Sequence, residues 1–239
     1  MADYSAGLGY GLVAAVIVVS LADVDPRVMA GMTSLVQVLL AYPVVVQHAR
    51  RGNIVIDKRY LRTAFIISIS SSLGALVSMR YAITASRETI EGVFAIIIIV
   101  LLVISWLRKL VNREAGREVV EESWKAGAAS SIAGFIAGVE KGISGGGFSI
   151  MLVLVQRLAG IDIKSAIAGL PVVKMIPFTI IGLGYIVFGF FNLELLISLF
   201  VGGLLSSLIA PRILGSIDEK VLLTTLTLLA AYMAVKLAL

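Results

Sequence analysis

Gly138-Val-Glu-Lys-Gly-Ile-Ser-Gly-Gly-Gly147 places two charges and five glycines between two apolar runs, 126–138 and 147–160. Neither run reaches the ~20 residues of a full bilayer crossing, and both fall in the shorter class of re-entrant or buried pieces. Read as one broken crossing, the interruption sends Arg157, Lys164, Arg212 and Lys220 to the face opposite the other basic loops. Read as a hairpin that enters and returns, it keeps all four on the same face. Basic loops collect on the cytoplasmic side, and non-helical backbone at membrane depth must be buried in protein or line a cavity. The hairpin satisfies both conditions and is the expected fold here.

Further apolar runs occupy 7–22, 28–47, 61–79, 92–107, 165–189, 195–210 and 221–235. With 59% apolar and 15% charged residues, the chain lies far from the roughly 25% charge of soluble proteins. The expected class is all-α, a polytopic transmembrane helical protein. Two polar connections carry the basic residues: 48–62, with Arg50, Arg51, Lys58, Arg59 and Arg62, and 108–125, with Arg108, Lys109, Arg113, Arg117 and Lys125. An even number of crossings separates them, so both face the cytoplasm, as does the amino terminus of a cell-membrane protein. Residues 1–6 hold an aspartate and no basic residue, which argues against a cleaved signal peptide.

The net charge of +5 fits basic loops against lipid headgroups and gives no indication of nucleic acid. The chain has no cysteine, which excludes disulfides, thiolate metal sites and cysteine nucleophiles. No nucleophile–base pair, metal cluster or nucleotide loop is readable, so neither an enzyme nor a cofactor is expected. Composition does not fix an oligomeric state.

Weak internal similarity divides the chain into a first repeat at 1–107, a charged connector at 108–125 and a second repeat at 126–239. Gly9-Tyr-Gly11, an apolar run and Val28-Met-Ala-Gly31 parallel Gly145-Gly-Gly147, an apolar run and Ala166-Ile-Ala-Gly169; Pro43 and Gly52-Asn53 are echoed by Pro177 and the 189–192 segment. With the hairpin, matching elements run in opposite directions. Inverted repeats with glycine- or proline-broken segments point to secondary transporters with a midplane site. Small residues that merely pack helices closely are the competing explanation.

The cation placed deepest in an apolar run is Lys174, between Pro171 and Pro177. A charge in hydrocarbon costs about 2.5 to 3.5 kcal/mol even on the lenient insertion scale, so it is kept where it meets a partner or a water-filled path. The prolines are expected to break the helix around it. Ser144, Gly145, Gly146, Gly147 and Ser149 can present free amides and hydroxyls to an anion, or simply permit a tight turn. Thr33, Ser34 and Gln37 are candidate donors on a facing helix, with a small-residue seam as the alternative. Glu140 and Lys141 beside the glycines are candidates for coupling to protons or another ion, Pro171 and Pro177 for gating, and His48, in the basic loop, for a headgroup or gate contact.

At the glycine motif the chain resembles the sulfite exporter (TauE/SafE-like) membrane permeases, whose G-x-x-x-G-x-G-G-G pattern appears here with one residue more. Gly7-Leu-Gly-Tyr-Gly11, Ala30-Gly-Met-Thr-Ser34 and His48-Ala-Arg-Arg-Gly-Asn53 extend the resemblance to the first half, with Gly-Tyr-Gly standing where the family has three glycines. The resemblance implies export of small anions such as sulfite or organosulfonates, driven by an ion gradient; the departure from the family pattern in the first half favours a major contribution from the second repeat. A non-transporting membrane scaffold and a passive anion channel are the alternatives.

Overall fold

The computed structural model describes residues 18, 24–53, 58–86, 88–90, 93, 96, 124–158 and 163–216. Six helices are delimited among these residues: α1 (Pro26–Arg50), α2 (Lys58–Ala82), α3 (Trp124–Ser144), α4 (Phe148–Leu158), α5 (Ile163–Val187) and α6 (Leu193–Ser216). No strand occurs among the described residues, so the chain is all-α. Gly9-Tyr-Gly11, most of the 108–125 connector and nearly all of the runs 7–22, 92–107 and 221–235 lie outside the described residues.

Helix ends follow local chemistry. Asp25 caps α1, its carboxylate accepting from the Arg27 amide at 2.8 Å, with Pro26 filling the position that needs no amide donor. Gly52 (φ 66°) and Gly189 (φ 84°) end α1 and α5 in the left-handed conformation, where a β-carbon would be penalised. Asn192 then opens α6 by accepting from the Leu195 amide at 2.9 Å.

Among the described residues three helices are long and apolar enough to cross a bilayer: Pro26–Arg50, Tyr60–Ala82 and Ala166–Val187. Their outward faces carry Leu39, Tyr42, Phe65, Leu73, Val77 and Leu183, all exposed; an apolar exterior of this kind suits lipid rather than water. Several hydroxyls in these helices are satisfied by their own backbone. Ser70 and Ser72 donate to the carbonyls of Ile66 and Ser68, four residues back, which hydrocarbon requires of any hydroxyl it surrounds.

Contacts fix the helix directions. α2 and α3 run together, since Gly134 meets Ile67, Gly138 meets Ser71 and Gly142 meets Ala75 and Ser78. A β-carbon on Gly138 would lie 2.0 Å from the Ser71 carbonyl oxygen, so the four-residue glycine spacing is what lets the two backbones touch. α2 and α5 also run together: Tyr60 bonds Gly169, Ser68 bonds Val173, and Met79 covers Gly184. α1 runs against α5, with Gly31 on Tyr185, Leu35 on Gly182 and Gln37 on Lys174. Because α3 and α5 share a direction, the segment between them carries the chain back. α4 lies on that return, Phe148 edge-on to Phe178 at 4.9 Å and Leu152 and Val153 in the core shared with α5.

Two sequence expectations need correction. The helix does not break at Gly138; α3 continues through Glu140, Lys141 and Gly142 to Ser144, and only 145–147 departs from helix. Gly138 and Gly142 are contact points against α2, so they reinforce the helix rather than end it. Nor do the prolines break α5, which is continuous through Pro171 and Pro177, as α1 is through Pro43. Neighbouring groups can re-satisfy the carbonyls that proline frees, and one such repair is visible beside Lys174.

Candidate functional site

Two ammonium groups are buried at the junction of α1, α3 and α5. Lys174, from the middle of α5, is 1% exposed and donates to Gln37 Oε1 at 3.0 Å. Lys141, from the last turn of α3, is equally buried; it donates to Thr33 Oγ1 at 3.2 Å and to the Gly145 carbonyl. Thr33 and Gln37 lie one turn apart on α1, so the two lysines address successive rungs of the same helix face. Both lysines approach Phe178, with the Lys141 nitrogen 4.7 Å and the Lys174 nitrogen 5.7 Å from its ring centre. The electron-rich faces of aromatic rings attract cations, most strongly where water is excluded.

Thr33 and Gln37 act here as acceptors for the lysines. Their own protons go to α1 carbonyls: Thr33 to Met29 at 2.7 Å and Gln37 to Thr33 at 3.2 Å. Ser34, fully buried, likewise donates to Ala30 at 2.6 Å. The expected set of hydroxyl and amide donors is thus committed to its own helix, and the donors with charge to offer are the two ammoniums.

The glycine turn closes the site on one flank. Gly145 (φ 72°) and Gly147 (φ 59°) are left-handed. A β-carbon at Gly145 would strike the Ala30 backbone at 2.7 Å, so the turn rests directly on α1. At Gly147 the missing side chain leaves room for the carboxylate of Glu140, whose atoms come within 2.5 Å of the position a β-carbon would take. Glu140 is fully buried, and Gly146 and Ser149, within two residues of Gly147, are buried as well. Ser144 closes α3. A carboxylate near the first turn of α4 is where the helix dipole favours negative charge.

Beyond the lysines the cluster is closed in both directions along α5. On one side the Tyr185 hydroxyl bonds the Gly142 carbonyl, and Gly31 allows the Tyr185 side chain to lie against α1. Arg27, paired with Asp25 at 2.6 Å, stacks 4.5 Å from the centre of the Phe190 ring, which meets Tyr185 edge-on. On the other side Tyr60 donates to the Gly169 carbonyl at 2.9 Å. His48 belongs to neither a loop nor an open surface: it sits in the last turn of α1, fully buried, with Nδ1 3.1 Å from the Asn53 amide. Pro171 and Pro177, both buried, flank Lys174 on α5.

The structure therefore brings Lys174, Gln37, Lys141 and Thr33 together, with Ser34 and the Glu140–Gly147 contact alongside, and leaves His48 about 11 residues, or ~16 Å, along α1 from Gln37. Phe178, Tyr185, Tyr60 and Ser68 were not anticipated. Phe178 lies four residues from Lys174, hence on the same helix face, which is a usable signal; the other three act across more than forty residues of sequence and leave none.

The arrangement holds one cation, Lys174, at mid-length of a helix long and apolar enough to cross a bilayer and a second, Lys141, in the last turn of α3, with no group of three or more metal-ligating side chains among the described residues. The chain matches the family model described as sulfite exporter TauE/SafE, over residues 1–237. The chain belongs to the TauE/SafE family. TauE/SafE proteins are membrane transporters and not enzymes, so this chain is an integral membrane protein of a transporter family of sulfite or sulfonate type. No curated protein and no solved structure matches the chain significantly.

Proposed function

We propose that this TauE/SafE protein is a secondary exporter of small anions such as sulfite or organosulfonates, and that Lys141 and Lys174 hold the anion between α1 and α5. The observation that carries the reading is the convergence of two buried ammoniums from different helices on Thr33, Gln37 and Phe178. Keeping two cations out of water is costly, and an anion entering between them relieves that cost. The three buried charged groups at the site, Glu140, Lys141 and Lys174, sum to one positive charge, which one monoanion balances. A dianion is balanced when Glu140 also takes up a proton, which makes Glu140 the candidate coupling group.

Alternating access would open one closure at a time: the Tyr185–Gly142 contact on one side, and Tyr60–Gly169 with His48 on the other. Pro171 and Pro177 give α5 the weakened ladder that such bending needs. The inverted-repeat reading is supported by α1 and α5, each of 25 residues, each containing proline, each ended by a left-handed glycine, and antiparallel to one another. A hairpin formed by α3 and α4 is supported by the common direction of α2, α3 and α5. With basic loops inside, the amino terminus is cytoplasmic and the membrane is that of the cell.

Sealed vesicles loaded with sulfite, sulfoacetate or chloride, with internal pH recorded, test the assignment. Sulfite efflux that moves protons and falls at least tenfold in both Lys141→Gln and Lys174→Gln supports it. Unchanged flux in both variants at matched insertion removes the lysines from the mechanism. Efflux that never builds a gradient identifies a passive channel, and the absence of flux for every anion identifies a scaffold.

A further inference from the structure

We infer that Ser68 of α2 is a positioning residue for Lys174, standing in for the hydrogen bond that Pro177 removes from α5. An α-helical carbonyl accepts from the amide four residues ahead. Pro177 has no amide proton, so the carbonyl it leaves without a helical donor is that of Val173, the residue immediately before Lys174. That carbonyl receives the Ser68 hydroxyl at 2.9 Å. Ser68 is 3% exposed, so water does not compete, and a buried carbonyl in lipid requires a donor.

The same hydroxyl lies 2.7 Å from the Ala64 carbonyl of its own helix. It has one proton and two acceptors. With the proton on Val173, α5 is tied to α2 and its path at Pro177 is held. With the proton on Ala64, the tie is released without leaving the hydroxyl unsatisfied, and α5 is free to bend at Pro177. Lys174 moves with the Val173 carbonyl because they are neighbours on one backbone. Its ammonium meets Gln37 only while α5 keeps that path. Ser68 thus sets the height of the lysine without touching the anion. This rests on the proposed transport reading, since it assigns Ser68 a part in the same site.

The test uses the full chain with Ser68→Ala, Ser68→Thr, Pro177→Ala and the two Pro177 double variants, reading amide exchange over 172–182 in purified protein and sulfite flux in vesicles. Losing one buried hydrogen bond should speed exchange and raise the half-saturating sulfite concentration by about five- to tenfold in Ser68→Ala, with maximal flux changed far less. Ser68→Thr keeps the hydroxyl and restores both values, because threonine also bonds back to its own helix. In the Pro177→Ala background the new amide at 177 reaches the Val173 carbonyl, so removing the hydroxyl should alter either value by no more than about twofold. An equal loss in both backgrounds, or no loss with Pro177 present, overturns the inference. If the parent protein moves no sulfite, the transport reading fails while the exchange measurement still decides the role of Ser68.

Discussion

Replacing Gly147 by alanine and comparing it with Gly189→Ala isolates the contact that places Glu140 in the site. Both glycines have positive φ, 59° and 84°, so each alanine incurs the left-handed penalty of about 1 to 2 kcal/mol. Their surroundings differ. Nothing lies within 4 Å of a β-carbon at Gly189, whereas at Gly147 the three nearest atoms are the carboxylate carbon and oxygens of Glu140, at 2.5, 2.5 and 2.8 Å. Pushing a buried side chain from a packed position costs a further 1 to 3 kcal/mol or so. Gly147→Ala should therefore lose about 2 to 5 kcal/mol against about 1 to 2 for Gly189→Ala. For a chain of this size each kcal/mol corresponds to roughly 2 to 4 °C in melting temperature, so thermal unfolding in detergent resolves the difference. In a Glu140→Ala background the extra loss at Gly147 should vanish, leaving the two glycines alike. Equal losses in the parent background would show that the Glu140 carboxylate does not lie over Gly147, and the coupling role built on that position would fall with it.

Lys174→Met should abolish sulfite flux while raising the melting temperature by a few degrees, because removing a buried charge relieves its desolvation cost of several kcal/mol; loss of both stability and flux would mark the lysine as structural. Gly138→Ala and Gly202→Ala should move stability in opposite directions in the same melting assay. The first would drive a β-carbon to within 2.0 Å of the Ser71 carbonyl, whereas the second meets nothing within 4 Å and gains the ~1 kcal/mol helix preference of alanine. Because the chain has no cysteine, Arg51→Cys and Phe191→Cys report topology without background. Impermeant maleimide on intact cells should label position 191 and leave position 51 unlabelled; labelling of both from one side would contradict the antiparallel α1 and α5.

Composition and apolar run lengths carried the all-α membrane class, because a hydrocarbon solvent imposes its demands on every residue of a crossing. Lys174 and Gln37 were legible for the same reason: a charge or amide in an apolar run stands out wherever it occurs. What glycine does was harder to read. Gly138 and Gly145 look alike in the sequence, yet Gly138 continues a helix against Ser71 and Gly145 turns the chain against Ala30. The absent side chain permits both outcomes, and only the neighbour decides between them. Proline misled in the opposite sense. Pro177 removes a donor from α5, but Ser68, more than a hundred residues earlier, supplies one, so the helix continues. His48 was assigned to a loop by the charged residues after it; α1 instead extends to Arg50 because Gly52, not the first arginine, provides the left-handed stop.

The backbone-to-backbone seam between α2 and α3 has a mechanical corollary. Side chains can slide past one another by changing rotamer, but main chain pressed against main chain has no such slack, so these two helices form a stiff spar. The two site lysines of α3 and α5 meet α1 at the Thr33 and Gln37 side chains, and the reach of lysine and glutamine tolerates displacement. If the protein works by the proposed alternating access, its movement would concentrate where α1 and the C-terminal half of α5 swing against that spar, and a compound wedged at this flank would jam the cycle without entering the anion's own berth.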